Sequence, residues 1–255
     1  MSDAVTMVRR NVKHTLRNPG AMIMTIGLPV VLLLLFVGVF GGTLNAGFGP
    51  ARHGGEYIDY VVAGILLMTV GYGSTTTALA VNRDMTSGVI ARFRTMAISR
   101  ASVLTGHVIG STARTLVGAC LVIGVAMLLG LRLAGNPVRW LAAAGLLALV
   151  TVALTWLGVA VGLLAKTAEG TSGFTLVVQI LPFLSSAFVP PESMSGPVRW
   201  FAAHEPFTPV TDALRGLLLG TPVGDQGLIA VAWCVGLALA GYLWARALFR
   251  RDPSS

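Results

Sequence analysis

Residues 140–165 read WLAAAGLLALVTVALTWLGVAVGLLA, a run with no Asp, Glu, Lys or Arg that stops at Lys166. A helix needs about 20 apolar residues to cross the roughly 30 Å of bilayer hydrocarbon. Inside that hydrocarbon the backbone N–H and C=O groups find no water, so they must bond to one another within the segment, which a helix does. Working outward by the same rule gives spans at 21–40, 60–82, 103–131, 140–165, 170–189 and 226–246. The expected fold class is therefore all-α: a polytopic membrane protein with six transmembrane helices in one domain, 1–255. The composition agrees. The 255 residues are 55% hydrophobic and 11% charged, with a mean hydropathy of +0.79, whereas a soluble domain carries roughly 25% charged residues. A soluble globular protein is excluded. Cys120 and Cys234 lie inside apolar runs, so no disulfide framework and no Cys-rich metal site is expected.

The net charge of +8 would point to nucleic acid in a soluble protein. Here topology accounts for it, because cytoplasmic loops of membrane proteins carry an excess of Lys and Arg. With the N-terminus in the cytoplasm, Arg9, Arg10, Lys13, Arg17, Arg83, Arg92, Arg94, Arg100, Lys166, Arg246, Arg250 and Arg251 fall inside. Only Arg52, Arg132, Arg139, Arg199 and Arg215 fall outside, and Arg114 lies in a span. An even number of spans then puts both termini in the cytoplasm, and no nucleic-acid partner is expected. The alternative for the first apolar run is a cleaved signal peptide, but the run starts about twenty residues in and is longer than an ordinary h-region.

Three non-spanning segments have structure of their own to offer. In residues 1–18, Val5, Val8, Val12 and Leu16 share one helical face while Arg9, Lys13 and Arg17 share another. Such a basic amphipathic helix lies in the membrane interface among lipid headgroups. It either anchors the topology alone or also touches a cytoplasmic partner. In residues 83–100, Asp84 and Ser87 are candidate caps, Val89, Phe93 and Met96 fall on one face, and Arg92 and Arg94 flank it. A short surface helix entering the third span near Ser99 is expected, with a plain solvated loop as the alternative; an apolar stripe rimmed by arginines calls for a cover of lipid or protein. Residues 190–225 carry Pro190, Pro191, Pro197, Pro206, Pro209 and Pro222, which cut them into pieces. Two pieces, about 192–203 and 208–219, read as helices too short to span, lying at or dipping into the outer leaflet. Gly38/Gly42, Gly106/Gly110 and Gly158/Gly162 are spaced for close helix packing.

Chemistry is scarce. The spans hold no Asp or Glu pair suited to ion or proton coupling. His14, His53, His107 and His204 lack metal-ligand spacing, and the serines at 74, 185 and 186 lack a companion His–Asp arrangement. The nearest string to a nucleotide-binding turn, residues 162–167 (GLLAKT), has no glycine before Lys166. No cofactor, no metal and no ATP hydrolysis by the chain alone are expected. Arg114 stands apart inside a span. Either the third helix begins near Ser111 and leaves Arg114 in the headgroup region, or the cation faces a cytoplasmic vestibule between helices.

Three stretches resemble the ABC-2 type exporter permeases, the family of the daunorubicin-resistance permeases: residues 8–19 (VRRNVKHTLRNP), residues 82–100 (NRDMTSGVIARFRTMAISR), and residues 185–194 (SSAFVPPESM) with 204–215 (HEPFTPVTDALR). The resemblance covers nearly the whole chain, and its last stretch is the most specific. It implies that residues 1–18 are an elbow helix, contributing Val8, Arg9, Val12, Lys13 and Leu16. It implies that residues 83–100 hold a coupling helix whose Asp84, Gly88, Val89, Arg92, Phe93, Arg94 and Met96 contact the ATPase subunit. Ser185, Ser186, Phe188, Pro190, Pro191 and Glu192 become an extracellular gate segment. The implied assembly has a second permease subunit, identical or not, and two copies of a soluble ATP-binding subunit, in a bacterial plasma membrane. It moves a small-molecule or lipid-like substrate outward. Other readings are export of lipid or polysaccharide through the same scaffold, or a membrane-embedded enzyme or assembly factor. Met68, Phe174, Phe183 and Phe188 suit either an apolar substrate or helix packing.

Overall fold

The computed structural model describes residues 27–42, 57–87, 100–134 and 136–250. Among them every regular element is helical. The α-helices are α1 (Leu28–Leu35), α2 (Tyr57–Thr86), α3 (Arg100–Leu128), α4 (Pro137–Leu164), α5 (Ser172–Ile180), α6 (Gly196–His204), α7 (Phe207–Leu219) and α8 (Gln226–Arg250). Of these, α2, α3, α4 and α8 are long and apolar enough to cross a membrane. At 1.5 Å per residue, 25 to 30 residues reach roughly 38–45 Å, so their ends extend past the hydrocarbon into the headgroup layer. They match the expected spans 60–82, 103–131, 140–165 and 226–246 within a few residues. The α1 helix continues as a π-helical stretch, Phe36–Phe40, and covers the second half of the expected span 21–40. The expected elbow helix 1–18, with Val8, Arg9, Val12, Lys13 and Leu16, lies outside the described residues. So do Gly88, Val89, Arg92, Phe93, Arg94 and Met96.

Two expectations need correction. Residues 170–189 do not form one long α-helix. A 3-10 turn, Glu169–Thr171, leads into the nine residues of α5, and a second 3-10 turn, Leu181–Leu184, ends it at Ser185 in extended conformation. Pro182 has no N–H to donate and its ring crowds the carbonyl four residues back, so an α-helix cannot run through it undisturbed. The helix expected at 192–203 starts later. Pro191–Ser193 closes a single 3-10 turn, and α6 begins only at Gly196, where Pro197 in the first turn forfeits an N–H that would have no partner anyway.

Helix α2 is the hub. Its most apolar window is 89% buried within the chain, against 22% for that of α8, which packs chiefly on α4. Lipid is as apolar as leucine, so membrane helices gain from close contact and interhelical hydrogen bonds rather than from hydrophobicity alone. The least greasy long helix, rich in Gly, Ser and Thr, is accordingly the one at the centre. The Gly158/Gly162 pair makes its closest approach possible: a Cβ on Gly158 would meet the Ser74 carbonyl oxygen at 2.7 Å, and one on Gly162 would strike the Ala78 carbonyl. Among the described residues nothing approaches the places a Cβ on Gly38 or Gly42 would take. Met68 is buried in the α2 core, Phe174 packs against that core, and Phe188 stacks between Phe36 and Phe183 with ring centroids 4.8 Å apart on each side. All four aromatic and methionine candidates are thus used in packing.

Candidate functional site

Polar side chains gather at three levels along α2. At its C-terminal end, Asp84 pairs with His107 of α3 across 3.2 Å. Buried Asn82 donates to the Ala165 carbonyl at 2.6 Å, satisfying an oxygen left over at the end of α4. These two contacts fasten the exit of α2 to both neighbouring helices, next to the 83–100 loop. The sequence offered Asp84 as the cap of a separate helix in 83–100, but it lies inside α2, which runs on to Thr86; its His107 partner was not legible, because the two stand on different helices.

About two turns further along, the α2–α3 seam is lined with hydroxyls. Thr77 and Ser111 lie 2.6 Å apart and share the Gly73 carbonyl, to which Thr76 also donates at 2.9 Å. Arg114 reaches across and donates to Thr76 at 3.1 Å and to Ser111 at 3.5 Å. Because α3 runs unbroken from Arg100, a helix start near Ser111 does not hold. Arg114 stands fourteen residues into the helix, roughly 21 Å from its first turn. Where a cation lies within hydrocarbon it costs several kcal/mol unless polar groups or water receive it, and here the hydroxyls of Thr76 and Ser111 receive it.

The third level is where α2 begins. Ser186 uses every polar atom it has. Its N–H donates to Thr208 Oγ1 at 3.0 Å, its hydroxyl to Asp212 at 2.7 Å, and its carbonyl accepts from Tyr60 and from Arg215, each at 2.8 Å. Arg215 also donates to Asp212 at 2.8 Å and to the Tyr60 carbonyl at 3.2 Å, with its guanidinium 3.8 Å from the centre of the Tyr60 ring. Beside this knot, the buried Glu205 carboxylate accepts from the Phe207 and Thr208 amides, the open N–H groups at the start of α7. Burial raises its pKa to about 7 in spite of those hydrogen bonds. Of the expected gate residues, Ser185, Ser186 and Phe188 are buried, Pro190 and Pro191 are half-buried, and Glu192 is exposed. Tyr60, Glu205, Asp212 and Arg215 were not singled out from the sequence. The available signals were the Asp212/Arg215 pair at i, i+3 spacing on an amphipathic helix and the place of Glu205, Asp212 and Arg215 in the 204–215 stretch that carries the resemblance.

The ABC-2 type transporter family model matches residues 3–219, which takes in all three of these levels. The chain belongs to the ABC-2 type transporter family. It is 29% identical over 222 residues to the daunorubicin resistance ABC transporter permease protein DrrB1 of Streptomyces coeruleorubidus, covering 87% of this chain and 74% of that protein. It is 28% identical over 211 residues to the probable doxorubicin resistance ABC transporter permease protein DrrC of two Mycobacterium tuberculosis strains, CDC 1551 / Oshkosh and H37Rv, covering 82% of this chain and 76% of each. As an ABC-2 type permease the chain is a multi-pass membrane protein whose family works with an ATP-binding partner. The described residues supply a helical bundle with polar fastenings between its helices. Ser186 and Asp212 share a hydrogen bond, but no imidazole lies in that knot to take a proton from the hydroxyl.

Proposed function

We propose that the chain is the membrane-spanning subunit of an ATP-driven exporter that moves a hydrophobic or amphipathic compound out of the cell. Two permease subunits enclose the pathway, and two separate ATP-binding subunits dock from the cytoplasm. The observation that supports this most is the family match over residues 3–219, together with relatives named for daunorubicin and doxorubicin resistance. In this reading both termini are cytoplasmic, and the 83–100 loop and the 1–18 segment receive the push of nucleotide-driven closure. Asp84–His107 and Asn82–Ala165 pass that push to the helices, and Arg114 faces the cytoplasmic side of the pathway. The permease contributes a helix bundle with two arrangements, and the ATP cycle of its partner biases one of them.

The test is co-expression with an ABC ATP-binding subunit, reconstitution in lipid discs, and assay of ATP hydrolysis with and without an anthracycline. Stimulated hydrolysis, with anthracycline efflux from cells, supports the reading. A permease that forms no complex with the ATP-binding subunit, or a lone permease that turns over nucleotide, overturns it.

A further inference from the structure

The stretch between α5 and α6, residues 181–195, has no α-helix of its own, only the two 3-10 turns Leu181–Leu184 and Pro191–Ser193. Where it lies is decided by tertiary ties, and these concentrate at 186–188. Ser186 spends all of its polar capacity on Tyr60, Thr208, Asp212 and Arg215. Ala187 sits so close to α2 that a Cβ on Gly64 would meet its carbonyl oxygen at 2.8 Å. Phe188 is sandwiched between two rings. One side chain joins all three parties: Arg215 of α7 holds Asp212 on its own helix, the Ser186 carbonyl in the connecting stretch, and the Tyr60 carbonyl and ring of α2. A planar guanidinium can make these contacts at once, whereas an ammonium cannot.

The geometry points to Arg215, assisted by Tyr60 and Asp212, as the positioning residue that clasps residues 185–188 against α2 and closes the outer mouth, a tie that the transport cycle breaks to release substrate. The inference rests on the exporter reading above for the direction of opening. Its physical support is the location of the charges. The Arg215 and Asp212 side chains are 13% and 32% exposed, so water can receive both as they part. A fully buried pair would instead leave stranded charges and would serve only as a permanent staple. Phe188, two residues beyond Ser186 and stacked between Phe36 and Phe183, supplies the apolar plug.

The test uses the whole complex in lipid discs, with Cys120→Ser and Cys234→Ala as background and Ser185→Cys, buried in the clasped segment, as reporter, labelled by a water-soluble maleimide. With Arg215 in place, labelling is slow without nucleotide and accelerates in the ATP–vanadate-trapped state. Arg215→Gln is expected to raise the nucleotide-free rate about tenfold, the equivalent of one lost charged hydrogen bond, while the ATP-binding subunit still co-purifies. Arg215→Lys is expected to follow Arg215→Gln, because charge without the fork does not close the clasp. Should the Arg215 variants fail to assemble, Tyr60→Phe, which removes a single hydroxyl, decides by a smaller rise in the same direction. Equal nucleotide-free rates with and without the tie, or full rescue by lysine, overturn the clasp. A reporter labelled equally with and without nucleotide in the Arg215-containing complex overturns the exporter reading instead.

Discussion

Arg114 owes its position to an ordinary helix and its interest to what it meets. Its guanidinium donates to Thr76 and Ser111, and those hydroxyls still have the Gly73 carbonyl if it is removed. Arg114→Ala therefore leaves the α2–α3 seam hydrogen-bonded, and the subunit is expected to insert and assemble normally. Export is expected to fall about tenfold at matched expression, the scale of one charged hydrogen bond to substrate or water in the pathway. Unchanged efflux would remove Arg114 from the pathway. Its place within an apolar run was readable from the sequence, which offered either the headgroup region or a vestibule for it. Its partners were not, because Thr76 stands thirty-eight positions away and no periodicity joins it to Arg114.

Among elements, α2 and α7 show how a helix is held by what lies outside it. Helix α2 accepts α4 through the bare backbone at Gly158 and Gly162. Gly162→Leu drives a side chain into the Ala78 carbonyl and is expected to cost about 1–3 kcal/mol as an overpacked contact, seen as a lower thermal midpoint in detergent. A midpoint equal to that of the unmodified protein would show that α2 and α4 can part freely. Helix α7 is capped by Glu205, whose pKa is raised from 4.5 to about 7 by burial. A carboxyl raised in the folded state contributes stability that is complete below its unfolded value and is lost as pH rises through its folded value. The thermal midpoint is thus expected to fall between pH 4.5 and 7 by the equivalent of about 3 kcal/mol. Glu205→Gln, which does not titrate, should flatten that dependence across a pH series of melting curves; an identical slope in the variant would assign the titration elsewhere. The Pro-rich spacing of 190–225 announced short helices, and α6 and α7 are short. The sequence could not show that α7 would turn Asp212 and Arg215 onto Ser186, since that depends on how two proline-broken segments fold back.

For the whole molecule, the energy source lies outside the chain. If the 83–100 loop is the lever, its apolar stripe must be covered by the ATP-binding subunit. Phe93→Asp places a charge on that stripe and is expected to abolish co-purification of the ATP-binding subunit while membrane insertion persists. Burying an unpaired carboxylate in an interface costs several kcal/mol, enough to reduce complex formation at least about a hundredfold. A variant that co-purifies at the normal ratio would move the contact away from Phe93. The same experiment can be read at the C-terminal end of α2: Asp84, His107 and Asn82 tie the lever's root to α3 and α4, so loss of docking at Phe93 should leave the bundle's own thermal midpoint unchanged.

The sequence by itself determined that this chain is a greasy multi-pass helical protein, where its long helices run, and to which family of permeases it is similar. Those properties follow from runs of adjacent residues, and a bilayer imposes its length and apolarity on each span separately. Only the tertiary structure decided that the most polar of the long helices sits at the centre, that residues 170–189 break at Pro182, and that Tyr60, Ser186, Asp212 and Arg215 meet. These depend on which helix faces which. Between apolar helices in lipid that choice is made by bare glycine backbone and a few hydrogen bonds between residues far apart in the chain, which no local pattern of hydrophobicity records.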